Sequence, residues 1–483
     1  MRNRFKIQYE LGATPIERIE IPLDSRDQLP PVLRALQYIY CTPELNEKVF
    51  QLLEKKIIAA VNPTGRTGMS LWEILVLGTI RLSLDVDYDR LHYMANFDGL
   101  IRSLVGIHDF GIKLKNYPLQ TLKDNVRLLD AETLNQITEW VVAAGHRLLT
   151  ADSLDVKVDS YVLETNVHFP TDLNLLWDAA RKSIELVSQL CKAIQLTGWR
   201  KYKTWRNQLK SAYHRAAKRS QANGKNTTAG LNAVLDYLCR VKELSNKLNH
   251  AIEVIEALIE LPDFNMNKFN ELLFFKQQLD KHIDLVRRRL ILKQDIPHAE
   301  KIFSLFEPYT EWIKKGKTRI EAELGLRLAI ATDQYGFILR HQLMQHQQDV
   351  DIAVPLMKVL LAKKSIRSVS FDKGFWSPPN YKELKALVQE LILPKRGKLN
   401  KAEYEREHTK WFNELRRKHS AVESAINGLE HHGLNRCPDK GIAGFTRYAA
   451  LGVLAYNLHK LGNTLLEQDR KQMSKNYALA KVA

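Results

Sequence analysis

Three acidic residues stand where the surrounding patterns can aim them at one point: Asp159, Asp372 and Glu423. Asp159 closes a run in which Leu154, Val156 and Val158 alternate with Asp155, Lys157 and Asp159. That period of two is the pattern of a strand with two distinct faces. Asp372 directly follows the apolar run 366–371 and opens Asp372-Lys373-Gly374, while Glu423 falls in a helical stretch, 416–432. A parallel pairing of the two strands brings the aspartates together, and a helix packed on the same sheet edge adds the glutamate. Carboxylates that converge suit a hard divalent ion such as Mg²⁺ or Mn²⁺. Two such ions, about 4 Å apart, activate an attacking hydroxyl and stabilise the leaving oxygen of a phosphodiester. Each residue alone has a plainer explanation. An Asp before Lys-Gly often only closes a strand, an Asp in a strand can face water, and exposed helical Glu is common.

The elements that must position these acids are legible around them. Pro30 and Pro31 open a helical segment with Leu33, Leu36 and Tyr40 on one face, and Asn62 to Gly68 reads as a loop. Helices are expected from Ser70 to about Leu149, with Leu71, Ile74, Leu75 and Ile80 on one face, and shorter ones at 89–96 and 121–129. Short helices on tight turns suit a helix-turn-helix module and equally a small bundle. From Leu173 to Tyr309 the pattern is helical, broken at Asn223-Gly224 and Leu261-Pro262. Strands return at 326–331 and 337–343, flanking the turn Asp333-Gln334-Tyr335-Gly336, so a hairpin is expected. A helix (351–362), the strand ending at Phe371, a helix (380–389) and a strand (391–394) follow. Without the helical block this is a mixed α/β sheet with helices on its faces.

The chain has 483 residues, enough for several domains, and its 72 Lys and Arg exceed 55 Asp and Glu, giving +17. Such a surplus favours a polyanionic partner, nucleic acid first. The segment from Lys192 to Lys225 holds ten Lys or Arg and no acid: Arg200, Lys201, Lys203, Arg206, Lys210, Arg215, Lys218 and Arg219 are among them. Trp199, Tyr202, Trp205 and Tyr213 are interleaved, an arrangement for phosphate contact with base stacking. The alternative is a solvated helix whose aromatics pack on a neighbour. Lys373, Lys395, Arg396 and Lys398 near the sheet edge, with Arg416 and Arg417, are further phosphate-contact candidates, each with surface solvation as the alternative. Cys41, Cys191, Cys239 and Cys437 lie too far apart for zinc pairs and read as buried thiols of a reducing cytosol. The basic start Met1 to Lys6 leads into no apolar region, and the apolar stretch 71–84 is short and carries Glu73 and Arg81. Neither a signal peptide nor a membrane span is expected.

The segment Val158 to Asp172 resembles the first catalytic motif of bacterial insertion-sequence transposases of the DDE type. Phe371-Asp-Lys-Gly-Phe-Trp-Ser377 resembles their second motif and Ala421 to Arg436 their third; Phe306–Lys317 and 332–338 are similar too. The resemblance covers Asp152 to about Leu461, more faintly Gly65 to Leu129. It implies an α+β multidomain protein with a ribonuclease-H-like core. Residues 1–150 would form a helical DNA-binding or dimerisation region, 151–172 with 316–465 the catalytic core, 173–315 an all-α insertion, and 466–483 a tail. Asp159 to Asp372 spans 213 residues and Asp372 to Glu423 only 51, which places the insertion after the first strand.

The function so implied is metal-dependent cleavage at transposon ends and transfer of the 3′-hydroxyl into target DNA. Asp159, Asp372 and Glu423 would be the catalytic and metal-holding residues, with two Mg²⁺ or Mn²⁺ ions. The partners would be double-stranded DNA, as terminal repeats and target, and a second copy in a dimer or larger assembly, in the bacterial cytoplasm at the nucleoid. Two positions depart from the family. His419 stands where an Arg commonly precedes the Glu by four residues, and Glu430 stands where a basic residue often follows by seven. Glu430 is thus a second candidate acid on the same helical face. A nuclease without strand transfer and a non-catalytic DNA-binding descendant are the alternatives.

Overall fold

The structure, a computed structural model, describes residues 2–5, 14–58, 68–108, 115–221, 228–259, 264–314 and 322–482. Residues 62–67 of the loop expected at 62–68, the breaks at Asn223-Gly224 and Leu261-Pro262, Lys225 and residues 315–317 lie outside them. The chain divides into two compact units: Met1–Asn166 with Ile313–Ala483, and Val167–Trp312.

Among the described residues of the first unit, seven α-helices precede the sheet: α1 (Leu29–Cys41), α2 (Pro43–Leu53), α3 (Leu71–Ser83), α4 (Tyr88–Phe97), α5 (Gly99–Leu104), α6 (Leu119–Val126) and α7 (Ala131–Leu148). Ser70 starts α3 with a capping box: its hydroxyl accepts from the Glu73 amide, and its own amide donates to Glu73 at 2.6 Å. The sequence suggested one apolar face for α3, yet every residue of it is buried, Arg81 included. A helix apolar nearly all round belongs inside a core.

The strands are β1 (Leu154–Thr165), β2 (Glu311–Ile313), β3 (Glu323–Thr332), β4 (Ile338–Met344), β5 (Ile366–Phe371), β6 (Glu390–Ile392) and β7 (Arg436–Cys437). They form one mixed sheet in the order β2-β3-β1-β5-β6, with β4 on β3 and β7 on β1. The expected hairpin is β3–β4, whose turn Asp333 organises by accepting from the amides of Tyr335 and Phe337 at 2.9 Å. β1 runs antiparallel to β3 and parallel to β5, with Val158 opposite Phe371.

The second unit is helical: α8 (Asp172–Ala193), α9 (Tyr202–Gln221), α10 (Thr228–Glu256) and α11 (Met266–Val286). Leu176, Val187, Val241, Leu248, Leu272 and Leu279 fill its core.

After β4 the first unit adds α12 (Asp349–Leu361), α13 (Pro378–Leu387), α14 (Lys401–Glu407), α15 (Lys410–His419), α16 (Ala421–Leu429) and α17 (Gly441–Val482). The single helix expected over 416–432 is two, α15 and α16, which meet at Ser420. α17 packs against α1, α3 and α7. A Cβ at Gly462 would lie 1.7 Å from the carbonyl oxygen of Pro31, so only glycine allows α1 to begin this close to α17. Of the cysteines expected to be buried, Cys191 and Cys437 are; Cys41 and Cys239 are exposed. Among the described residues no helix is long and apolar enough to cross a membrane.

Candidate active site

Asp159 sits halfway along β1, half-buried, and its Oδ1 accepts from the amide of Ser160 at 2.7 Å. Asp372 is the first residue beyond β5 and is exposed. Because Val158 pairs with Phe371 in a parallel ladder, the next residue of each strand falls in the same row on the same face. Asp372 is held from both sides: the buried rings of Phe371 and Phe375 pack 5.3 Å apart around it, and the Phe375 amide donates to its carbonyl. Glu423 is exposed in the first turn of α16, which Val422, Ala425 and Leu429 anchor against the core.

The electrostatics tie these acids together. Burial pushes the Asp159 carboxyl up to about 6, and the negative charges of Asp372, Asp349 and Glu423 push it the same way. Both other expected acids therefore act on Asp159, and Asp349, which sequence reasoning missed, joins them. Asp349 opens α12, and its Oδ1 accepts from the Ser160 hydroxyl at 2.6 Å. The second candidate glutamate, Glu430, is not among the charges that raise Asp159; its charge acts on the buried Tyr161 hydroxyl, two residues further along β1.

The donor set, carboxylates alone, has the chemistry of a hard divalent ion, and Asp159 is raised first by burial and then by neighbouring negative charge, both of which a cation offsets. Among the described residues, however, no three His, Cys, Asp or Glu are drawn close enough to form a ready-made metal cage. The residues fit the ion in kind, as an open cluster.

The face of β1 that carries Asp155, Lys157 and Asp159 is not a wet one. α15 and α16 lie against this side of the sheet, and Lys157 is 7% exposed. His419 bonds through Nδ1 with the Ser370 hydroxyl at 2.9 Å. Burial lowers its pKa, with Asp372 acting in the opposite sense.

The basic candidates divide. In the first unit Lys373, Arg396, Lys398, Arg416 and Arg417 are exposed, whereas Lys395 is bound to Glu403 at 2.6 Å beside Trp376. In the second unit Arg200, Lys201, Lys203, Lys210, Lys218 and Arg219 are exposed; Arg206 pairs with Glu185 and Arg215 with Asp236. The interleaved aromatics are not a stacking platform. Trp199 is buried, Trp205 packs on it at 5.4 Å beneath the Lys247 ammonium, and Tyr213 stacks on Trp177. Tyr202, Trp205 and Tyr213 are half-buried against the core of this unit, so their rings are engaged in packing while the charges point outward.

Residues 293–458 match the family model described as "Transposase DDE domain". The match contains Asp349, Asp372 and Glu423; Asp159 precedes it. No curated protein and no solved structure matches the chain.

Proposed function

Since this chain carries a transposase DDE domain of the insertion-sequence type, we propose that it cuts DNA at the ends of its own mobile element and joins the freed 3′-hydroxyl to target DNA. The observation that carries this reading is the parallel register of Val158 with Phe371, which aligns Asp159 with Asp372 while Glu423 acts on the same carboxyl. In this reading β1, β5 and α16 are the active part of a ribonuclease-H-like core, and the helical unit is an insertion into it.

Asp159 and Asp372 would share the divalent ions, Mg²⁺ or Mn²⁺, and Glu423 would complete their coordination. When bound, such ions lower the pKa of an attacking water and stabilise the leaving oxygen. The chain's own part is alignment: two rigid strands fix the aspartates, and α16 brings the glutamate from a third direction. Asp159, raised to about 6 without an ion, is ionised at neutral pH and ready to serve as a ligand. The exposed cations Lys373, Arg396, Lys398, Arg416 and Arg417, with those of α9, would hold the duplex by its phosphates. Two element ends must be processed together, so a dimer or larger assembly on DNA is expected, in the bacterial cytoplasm.

The test is incubation of wild type and Asp372→Asn with Mg²⁺ and a duplex carrying the element's terminal repeat. Wild type should nick and transfer the labelled 3′ end; the variant should bind and do neither. Cleavage retained in Asp372→Asn removes Asp372 from the site, and cleavage without transfer leaves a nuclease.

A further inference from the structure

One row below Asp159 and Asp372, the same strands and helices line an open cavity of about 430 Å³. Lys157 of β1, Ser368 and Ser370 of β5, Lys418 of α15 and Ser424 of α16 line it, closed below by Ile392 and Leu415. Lys157 is buried, and the one contact of its ammonium among the described residues is a main-chain carbonyl, that of Asp333, at 3.4 Å. The two acids nearest to it are already engaged. Asp333 is bonded to His146 at 2.6 Å, and Asp155 is clasped by Arg367 at 2.5 and 3.0 Å and by the Ser368 hydroxyl. Holding an ammonium out of water without a carboxylate is costly, and an anion entering the cavity offsets that cost.

We propose that this cavity is a phosphate subsite, in which Lys157 and Lys418 hold the DNA backbone phosphate adjacent to the one being cut. The inference rests on the transposase reading above. Geometry favours it. Each wall carries a catalytic-site acid one or two residues from its cavity residue: Lys157 and Asp159, Ser370 and Asp372, Ser424 and Glu423. Two residues along a strand advance about 6.6 Å, comparable to the step between neighbouring phosphates of one DNA strand. Lysine ammoniums are point charges suited to a tetrahedral oxyanion, and the volume leaves room for part of the attached sugar. Asp155, the one acid in the wall, is neutralised by Arg367.

The experiment uses the full chain and a terminal-repeat duplex bearing a neutral methylphosphonate at each of the phosphates flanking the cleavage site in turn. Binding is read by fluorescence anisotropy without divalent ions. Wild type should lose affinity about tenfold at one position. Lys157→Met, which keeps the length of the side chain, should bind the unmodified duplex about tenfold more weakly and be indifferent to neutralisation at that position. Lys418→Gln, at an exposed residue whose loss leaves the core intact, should show the same indifference. Wild type that tolerates every neutral phosphate, or variants that keep the full penalty, overturn the subsite. Wild type that shows the binding pattern but never cleaves with Mg²⁺ or Mn²⁺ sinks the catalytic reading and leaves the subsite standing.

Discussion

Ser160 connects Asp159 to Asp349: its amide donates to the first carboxylate at 2.7 Å and its hydroxyl to the second at 2.6 Å. The other oxygen of Asp349 lies where a Cβ on Gly374 would stand 2.9 Å away, so the same side chain also abuts the turn that follows Asp372. Asp349 thus braces the middle of β1 and the turn beyond β5. Asp349→Ala should slow single-turnover cleavage roughly tenfold to a hundredfold through misplacement of the acids, with DNA affinity unchanged. A variant as fast as wild type would take Asp349 out of the site.

The raised Asp159 gives a signed pH dependence. Its carboxyl titrates at about 6 in the folded chain, against about 4 when unfolded. The native state therefore holds its proton more tightly, and the stability drawn from this group falls as pH rises from about 4 to 6, on the order of 2–3 kcal/mol in all. Asp159→Asn should melt higher than wild type at about pH 8 and equally at about pH 4. Calcium should raise the melting temperature of wild type at the higher pH and leave the variant unmoved. A variant that melts lower at the higher pH would show that burial and neighbouring charge do not hold the Asp159 carboxyl up.

Gly462 tests the close approach of α1 and α17. A methyl there meets the Pro31 carbonyl at 1.7 Å, a main-chain atom that cannot swing aside. Gly462→Ala should cost about 3 kcal/mol or more in urea unfolding, at the upper end of overpacking. Gly99→Ala, where nothing lies within 4 Å, is the control and should change little.

The helix α9 separates charge from ring. Lys203→Ala with Lys210→Ala removes two exposed cations and should flatten the salt dependence of DNA affinity by about 1.8 in log–log slope. Trp199→Ala should instead unfold the second unit in proteolysis, since the ring lies in its core. An unchanged slope for the double variant would leave α9 a solvated helix.

What the sequence determined is what short range can encode. Alternation at Leu154 to Val158, the apolar run at 366–371 and the Asp333 turn each specify their element, because side-chain direction in a strand is a local property. The parallel pairing of β1 with β5, and with it the alignment of Asp159 with Asp372, was decided by the tertiary structure, since local pattern does not choose a strand's neighbour. Other features came only from contacts between residues far apart. Lys157 carries the polar letter of a solvent face, and it is buried because α15 and α16, about 260 positions on, cover it. Asp349 has no spacing that sets it apart from other first-turn acids; its hydrogen bond to Ser160 selects it. The basic, aromatic α9 reads alike for base stacking or for packing, and its neighbours α8 and α10 decided for packing by taking up the rings. Pattern fixes which way a residue points along its own element, whereas burial and partnership depend on which other element arrives there.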